Sequence, residues 1–127
     1  VAVSIASDIV PITGENRILM YHGLAKLNLN PCVGLKALIS IAGLKTPLDV
    51  TKVVFGLAPR INAAGRLKHA TEAVELLLST DKKQAIELAT VLHNRNVMRK
   101  EYDSIMTDEA LSLIESNNCI RFFIFTS

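Results

Sequence analysis

The chain has 127 residues, half of them apolar, and a formal net charge of only +2. This length suits one small domain, and the weak charge excludes a generally basic protein, so any affinity for nucleic acid must come from a local patch. Cys32 and Cys119 match no metal-binding spacing and favour a reducing compartment, although a disulfide between them stays open. No apolar run reaches the ~20 residues that span a bilayer, so we expect no membrane segment.

The N-terminal part predicts a short apolar element followed by a helix. Residues 1–7 are apolar and fit either a strand or a buried helix, with Asp8 directly after them. A helix is expected over about 15–27, because Thr13 is a plausible N-cap. An aspartate at the end of a buried segment can point into a cleft and bind a cation, or can simply close a turn.

Two further helices follow in this half of the chain. The first is expected over about 34–42 and should end at Gly43, which favours the left-handed conformation of a helix cap. The second should begin at Thr46 and Pro47, a capping hydroxyl followed by proline at the first helical position. Both helices carry apolar residues at helical spacing, which is typical of elements that pack on a core.

The C-terminal part predicts a short helix, a long helix and a strand. The short helix should run from about 70 to 79, and the long one from about 82 to 116, because no Gly or Pro occurs after Asp81. The long helix is apolar near both ends and polar over 93–101, a pattern that favours a bridge between two domains over a surface helix with a mobile middle. Residues 120–125 have the pattern of a buried strand.

Between these halves lies a basic stretch without acidic residues, residues 50–71. Pro59 predicts that a helix arriving from the N-terminal side stops or kinks, and Gly65 favours a left-handed turn. Arg60, Asn62 and Arg66 on such a bend could hold phosphate oxygens, since arginine binds them in a bidentate manner. The alternative is structural, with the arginines capping helices and the asparagine closing a turn.

The segment from Phe55 to Leu67, FGLAPRINAAGRL, closely resembles the GPRINAAGR signature of the RecJ family, single-strand-specific exonucleases of the DHH phosphoesterase superfamily. The segment ASDIVPI near the start is similar to the family's ADVVPL, and GENRIL follows as in the family. These segments keep the family's order and spacing over nearly the whole chain. The family's Asp-His-His motif has no counterpart here, so the chain resembles an internal part of a longer protein.

The resemblance implies a mostly α-helical fragment of an α/β parent. Residues 1–80 would be the end of the catalytic DHH domain, 81–117 the connecting helix, and 118–127 the first strand of the next domain. The reaction implied is hydrolysis of single-stranded DNA from the 5′ end, in the cytoplasm, in recombination and repair. Asp8 would then be one ligand of a two-metal centre of Mn²⁺ or Mg²⁺. The residues expected to contact DNA phosphates are Arg60, Asn62, Arg66 and His69.

Two other functions remain open. A DHH phosphoesterase could act on short oligonucleotides or mononucleotides, in which case a closed pocket would replace a groove. Without the resemblance, the sequence would indicate a non-catalytic helical nucleic-acid-binding module. We also expect that the isolated chain has no nuclease activity, that the parent is a monomer, and that the isolated chain associates through the apolar segments 1–5 and 120–125.

Overall fold

The computed structural model describes residues 1–66 and 70–116, which contain helices and no strand. The mostly α-helical prediction is therefore confirmed, and the expected strand over 120–125 lies outside the described residues. The elements in chain order are α1 (Ala2–Ser7), α2 (Gly14–Leu29), α3 (Val33–Ile41), α4 (Val50–Lys52), a π-helical turn (Val53–Leu57), α5 (Ala58–Arg66), α6 (Ala70–Leu78) and α7 (Lys82–Ser116).

The predicted helix start at Thr46 is wrong, because α4 begins at Val50. Asp49 is its N-cap, and its carboxylate accepts a hydrogen bond from the backbone N–H of Lys52 at 2.7 Å. The preceding connection is held by Asn28 of α2, whose side chain accepts from the N–H of Leu48 at 2.6 Å and donates to its carbonyl at 2.8 Å. These bonds bind Leu48 to α2 and explain why the helix starts later than the proline suggests.

Of the two outcomes predicted at Pro59, a stop or a kink, the stop does not occur. Ala58 has helical dihedral angles, and α5 continues to Arg66 with Gly65 inside it. Proline removes one helical hydrogen bond and its ring crowds the carbonyl of the preceding turn. The π-helical turn Val53–Leu57 widens the helix just before Pro59, which accommodates the ring without ending the helix. Arg60 and Asn62 therefore lie on a helix, not on a bend.

The structure divides into two compact units, Val1–Val97 and Met98–Ser127. The core of the first unit contains leucines from α3, the π-helical turn, α6 and α7. α3 approaches α6 closely, since a Cβ at Gly34 would lie 1.8 Å from the carbonyl oxygen of Leu76. The fully buried leucines are Leu38, Leu57, Leu76 and Leu92.

The predicted bounds of α7 are confirmed, but its faces differ from the expectation. The sequence predicted that Ala85, Ile86, Leu88, Ala89 and Leu92 pack at the start of the helix. In the first unit Ala85, Ala89 and Leu92 are buried and Leu88 is partly buried against the core, but Ile86 is exposed, and Asn96 in the supposedly polar middle is buried. In the second unit the apolar residues expected to pack are exposed instead: Ile105, Met106, Leu111 and Ile114. Among the described residues, no helix is long and apolar enough to cross a membrane.

Candidate metal and nucleic-acid site

Asp8 lies at the C-terminal end of α1, with its side chain exposed. Residues 1–7 form a helix, which settles the choice between strand and helix. The N–H of Asp8 donates to the carbonyl of Ser4 at 3.1 Å, and Ser7 Oγ donates to the carbonyl of Val3 at 2.8 Å. The backbone that carries the carboxylate is therefore fixed to the last turn of the helix.

Ile9, directly after Asp8, has a left-handed backbone with φ of 53°. Its N–H donates to the carbonyl of Ala6 at 3.4 Å, and the N–H of Val10 donates to the carbonyl of Ile5 at 3.2 Å. This is the Schellman arrangement, in which the left-handed position usually holds glycine. A β-branched residue there is strained, and such strain often occurs beside functional residues. No feature of the sequence predicted it.

Asn62 of α5 reaches the same helix end. Its side-chain Nδ2 donates to the carbonyl oxygen of Ser7 at 3.0 Å, across 55 residues of sequence. The structure thus brings two of the predicted site residues, Asp8 and Asn62, to one place. The Asn62 donor satisfies a carbonyl that the end of α1 leaves without a helical partner. Asn62 remains exposed, and its amide oxygen makes no hydrogen bond with the described residues.

Arg60 binds elsewhere. Its Nε donates to Nδ1 of His93 on α7 at 3.1 Å, and its Nη1 donates to the carbonyl of Gly56 in the π-helical turn. Burial lowers the pKa of Arg60 from its ordinary value by desolvation, although an arginine stays charged at neutral pH. Sequence reasoning missed His93 as a partner, because nothing in the sequence links positions 33 residues apart. Gly56 lies only four residues before Arg60, and the contact with its carbonyl was not predicted either.

Helical geometry separates the predicted phosphate ligands into two groups. Positions two residues apart on an α-helix differ by roughly 200°, so Arg60 and Asn62 point to opposite sides of α5. Position 66, the last residue of α5, falls one turn after Asn62. His69 lies outside the described residues. The sequence predicted these residues on a bend, and the structure has helix α5 there instead; their contact with phosphates stays a prediction.

A cavity of about 770 Å³ lies between α1, α2, the start of α3 and α5. Asp8 and Asn62 line it, and His22 and Lys26 of α2 add two further nitrogen-bearing side chains. Most of the wall is apolar, contributed by residues such as Ile18, Leu19 and Ile61. Sequence reasoning gave Lys26 no role and considered His22 an ordinary helix residue, because the cavity forms only when α1 packs against α2.

The described residues can supply part of a metal site but not a whole one. They contain no group of three or more His, Cys, Asp or Glu side chains that could hold a metal ion. Asp8 alone presents an exposed carboxylate at the cavity, and carboxylate oxygen suits Mg²⁺ or Mn²⁺. The carboxylate therefore fits as one ligand of several.

Comparison with known proteins gives one consistent relationship, although no family model matches the chain. The single-stranded-DNA-specific exonuclease RecJ of Bacillus subtilis (strain 168) is 40% identical over 115 residues, which are 90% of this chain and 15% of that protein. The crystal structure of RecJ in complex with Mg²⁺ from Thermus thermophilus matches with a TM-score of 0.77 and 37% identity, covering 85% of this chain and 17% of that one.

A crystal structure of exonuclease RecJ bound to manganese matches equally well. Its TM-score is 0.79 at 37% identity, over 88% of this chain and 29% of that one. The chain thus spans less than a third of each protein that it matches. Over the matched residues, the chain is RecJ-like in both sequence and structure.

Proposed function

We propose that the chain is a segment of a RecJ-type exonuclease that hydrolyses single-stranded DNA from the 5′ end with Mn²⁺ or Mg²⁺. The observation that carries this proposal is the meeting of Asp8 and Asn62 at the end of α1, beside the cavity. A carboxylate and an amide from distant parts of the chain thus lie at one end of a mostly apolar wall, which His22 and Lys26 also line. The likeness to RecJ structures that contain Mg²⁺ or manganese supports the same assignment.

In this proposal Asp8 holds a metal ion together with ligands from parts of the protein outside this chain. The bound metal would activate water and stabilise the charge that develops on the phosphate. Asn62 keeps the end of α1 in place through its hydrogen bond to the Ser7 carbonyl. Its amide oxygen, which makes no hydrogen bond with the described residues, faces the DNA in this proposal. Arg60, Arg66 and His69 contact phosphates of the strand. Such contacts position DNA without reading its sequence.

The domain assignment belongs to the same proposal. Residues 1–80 would complete the catalytic DHH domain, 81–117 would connect two domains, and 118–127 would begin the next one. A protein of this type would work as a monomer in the cytoplasm, on single strands produced in recombination and repair. The chain by itself would be inactive, because its described residues offer one metal ligand where a two-metal centre requires several.

The test uses the full-length protein with 5′-phosphorylated single-stranded DNA and Mn²⁺. Asp8→Asn keeps the size of the side chain and removes its charge, so we expect degradation to slow roughly a hundredfold or more. The matched control is Asp108→Asn, an exposed carboxylate on α7 that should leave the rate unchanged. If Asp8→Asn degraded DNA at the wild-type rate, the metal assignment would be wrong.

The cavity favours a second candidate, a phosphoesterase that acts on short oligonucleotides. Its volume of about 770 Å³ falls within the usual range for small-molecule sites, roughly 300–1,000 Å³. Rates on dinucleotides and on strands of several tens of nucleotides distinguish the two functions. A marked preference for the dinucleotide would support the second candidate, and binding without any degradation would support the non-catalytic module.

A further inference from the structure

One side chain of α7 holds Arg60, a partly buried cation on the opposite side of α5 from Asn62. His93 Nδ1 lies 3.1 Å from Nε of Arg60, and both residues are partly exposed in the unit Val1–Val97. The carbonyl of Gly56 accepts a second hydrogen bond from Nη1 of the same guanidinium. Two contacts to different atoms of a planar group fix both its position and its plane. The orientation of Arg60 thus depends on α7 and on the π-helical turn together.

The chemistry of the contact defines the state of the imidazole. The Nε–H of an arginine can only donate, so Nδ1 of His93 must accept with its lone pair. An imidazole that accepts at Nδ1 carries its ring proton on Nε2. The guanidinium hydrogens not used for His93 and Gly56, on Nη1 and Nη2, remain available for an anion. A phosphate is the anion that two such parallel donors match best.

We infer that His93 is a positioning residue, which orients Arg60 for a phosphate of the DNA strand. This inference rests on the proposed function, because it takes DNA as the ligand of Arg60. A guanidinium on a free side chain loses rotational freedom when it binds, and one already held by two acceptors loses less. His93 strengthens DNA binding by reducing this loss without touching DNA.

A purely structural role is the competing explanation. The same hydrogen bond connects α5 to α7, so His93 could serve only to hold the two helices together. The two roles predict different effects of substitution. A structural bond lowers the melting temperature when either partner is removed and leaves DNA affinity unchanged, whereas a positioning bond lowers DNA affinity, and only while Arg60 is present. A double-mutant cycle on DNA affinity, with the melting temperature of each variant beside it, separates the two roles.

The experiment measures the affinity of the full-length protein for a short single strand, together with its melting temperature. The variants are Arg60→Ala, His93→Ala, the double variant and His93→Asn, whose amide oxygen can accept near the place of Nδ1. Asn94→Ala, an exposed neighbour on α7, is the control and should bind like wild type. Arg60→Ala should weaken binding about ten- to a hundredfold and His93→Ala about three- to tenfold.

In the Arg60→Ala background, we expect that His93→Ala causes less than about a twofold further loss. His93→Asn should restore most of the affinity. The inference would be overturned if the affinity losses of Arg60→Ala and His93→Ala multiplied in the double variant, or if His93→Ala bound DNA like wild type. Either result would leave the proposed function in place. A wild-type protein that neither binds nor degrades single-stranded DNA would overturn the proposed function and this inference with it.

Discussion

The ends of α1 and α3 use the same hydrogen bonds with different residues at the critical position. At the end of α3, the N–H groups of Gly43 and Leu44 donate to carbonyls of the last helical turn at 3.0 and 3.1 Å. At the end of α1, Ile9 and Val10 make the corresponding bonds at 3.4 and 3.2 Å. Both helix ends turn through a left-handed residue, with φ of 65° at Gly43 and 53° at Ile9.

The difference shows where this fold tolerates strain. Glycine adopts the left-handed conformation without a steric penalty, whereas other L-residues lose about 1–2 kcal/mol there. The unstrained end, at Gly43, has no assigned role beyond connecting α3 to α4. The strained end carries Asp8 and accepts the hydrogen bond from Asn62. The strain thus lies beside the candidate metal ligand, where the surrounding contacts must hold it in place.

A loss of stability is expected when the α3 end is given the residue of the α1 end. Gly43→Ile should lower the free energy of unfolding of the chain by about 1 kcal/mol, because the left-handed penalty of about 1–2 kcal/mol is partly offset by the lower entropy of an unfolded chain without this glycine. A Cβ at Gly43 would meet nothing within 4 Å, so the loss comes from the backbone and not from a clash. Urea unfolding measures it, with Lys45→Ile as an exposed control that should change stability by less than about 0.5 kcal/mol. Equal losses in both variants would mean that φ at Gly43 is not the cause.

The same two helix ends show how much of the fold can be predicted from the sequence. Gly43 was correctly predicted as a left-handed cap, because glycine at the end of an apolar helical pattern has a clear physical reason. Ile9 was not predicted, because an isoleucine there contradicts the same rule. The bounds of α7 were also predictable, since Asp81 supplies a cap and no Gly or Pro follows it.

The sequence supplied the candidate residues of the site but not their arrangement. The motif pointed to Asp8, Arg60 and Asn62, but the bond that joins Asn62 to Ser7 spans 55 residues. Such contacts depend on how the helices pack, which a local pattern does not contain. The π-helical turn was also not predicted. Pro59 was expected to interrupt the helix, but a widened turn just before it accommodates the proline ring within a continuous helix.

A similar effect is expected for the contact that only the α1 end possesses. Asn62→Ala removes the hydrogen bond to the Ser7 carbonyl, so the free energy of unfolding should fall by about 1 kcal/mol. Asn16→Ala is a matched control, because Asn16 Nδ2 also donates to a backbone carbonyl. That bond, to Pro11 at 3.1 Å, is local and exposed. Its loss should lower the free energy of unfolding by only a few tenths of a kcal/mol. If the two variants were equally stable, the α1 end would need no support from α5.

The smallest effect on stability is expected when the backbone strain at Ile9 is removed, and this effect is the most informative one. Ile9→Gly relieves the left-handed penalty of about 1–2 kcal/mol but adds the entropy cost of glycine, roughly 0.5–1 kcal/mol. The Ile9 side chain is 80% exposed, so little packing is lost. The chain should therefore gain about 0.5–1 kcal/mol, measured by urea unfolding.

Ile12→Gly is the control for this gain, because the φ of Ile12 is not left-handed. It should lose at least about 0.5–1 kcal/mol, since the entropy cost of glycine remains and the side chain, 37% exposed, also loses some packing. If the strain at Ile9 serves the position of Asp8, the full-length Ile9→Gly protein should be more stable yet require more Mn²⁺ for half-maximal DNA degradation. A gain in stability with unchanged Mn²⁺ dependence would mean that the strain has no part in metal binding. A loss of stability would mean that the exposed isoleucine packs on the protein after all, and the two helix ends would then differ in packing and not in strain.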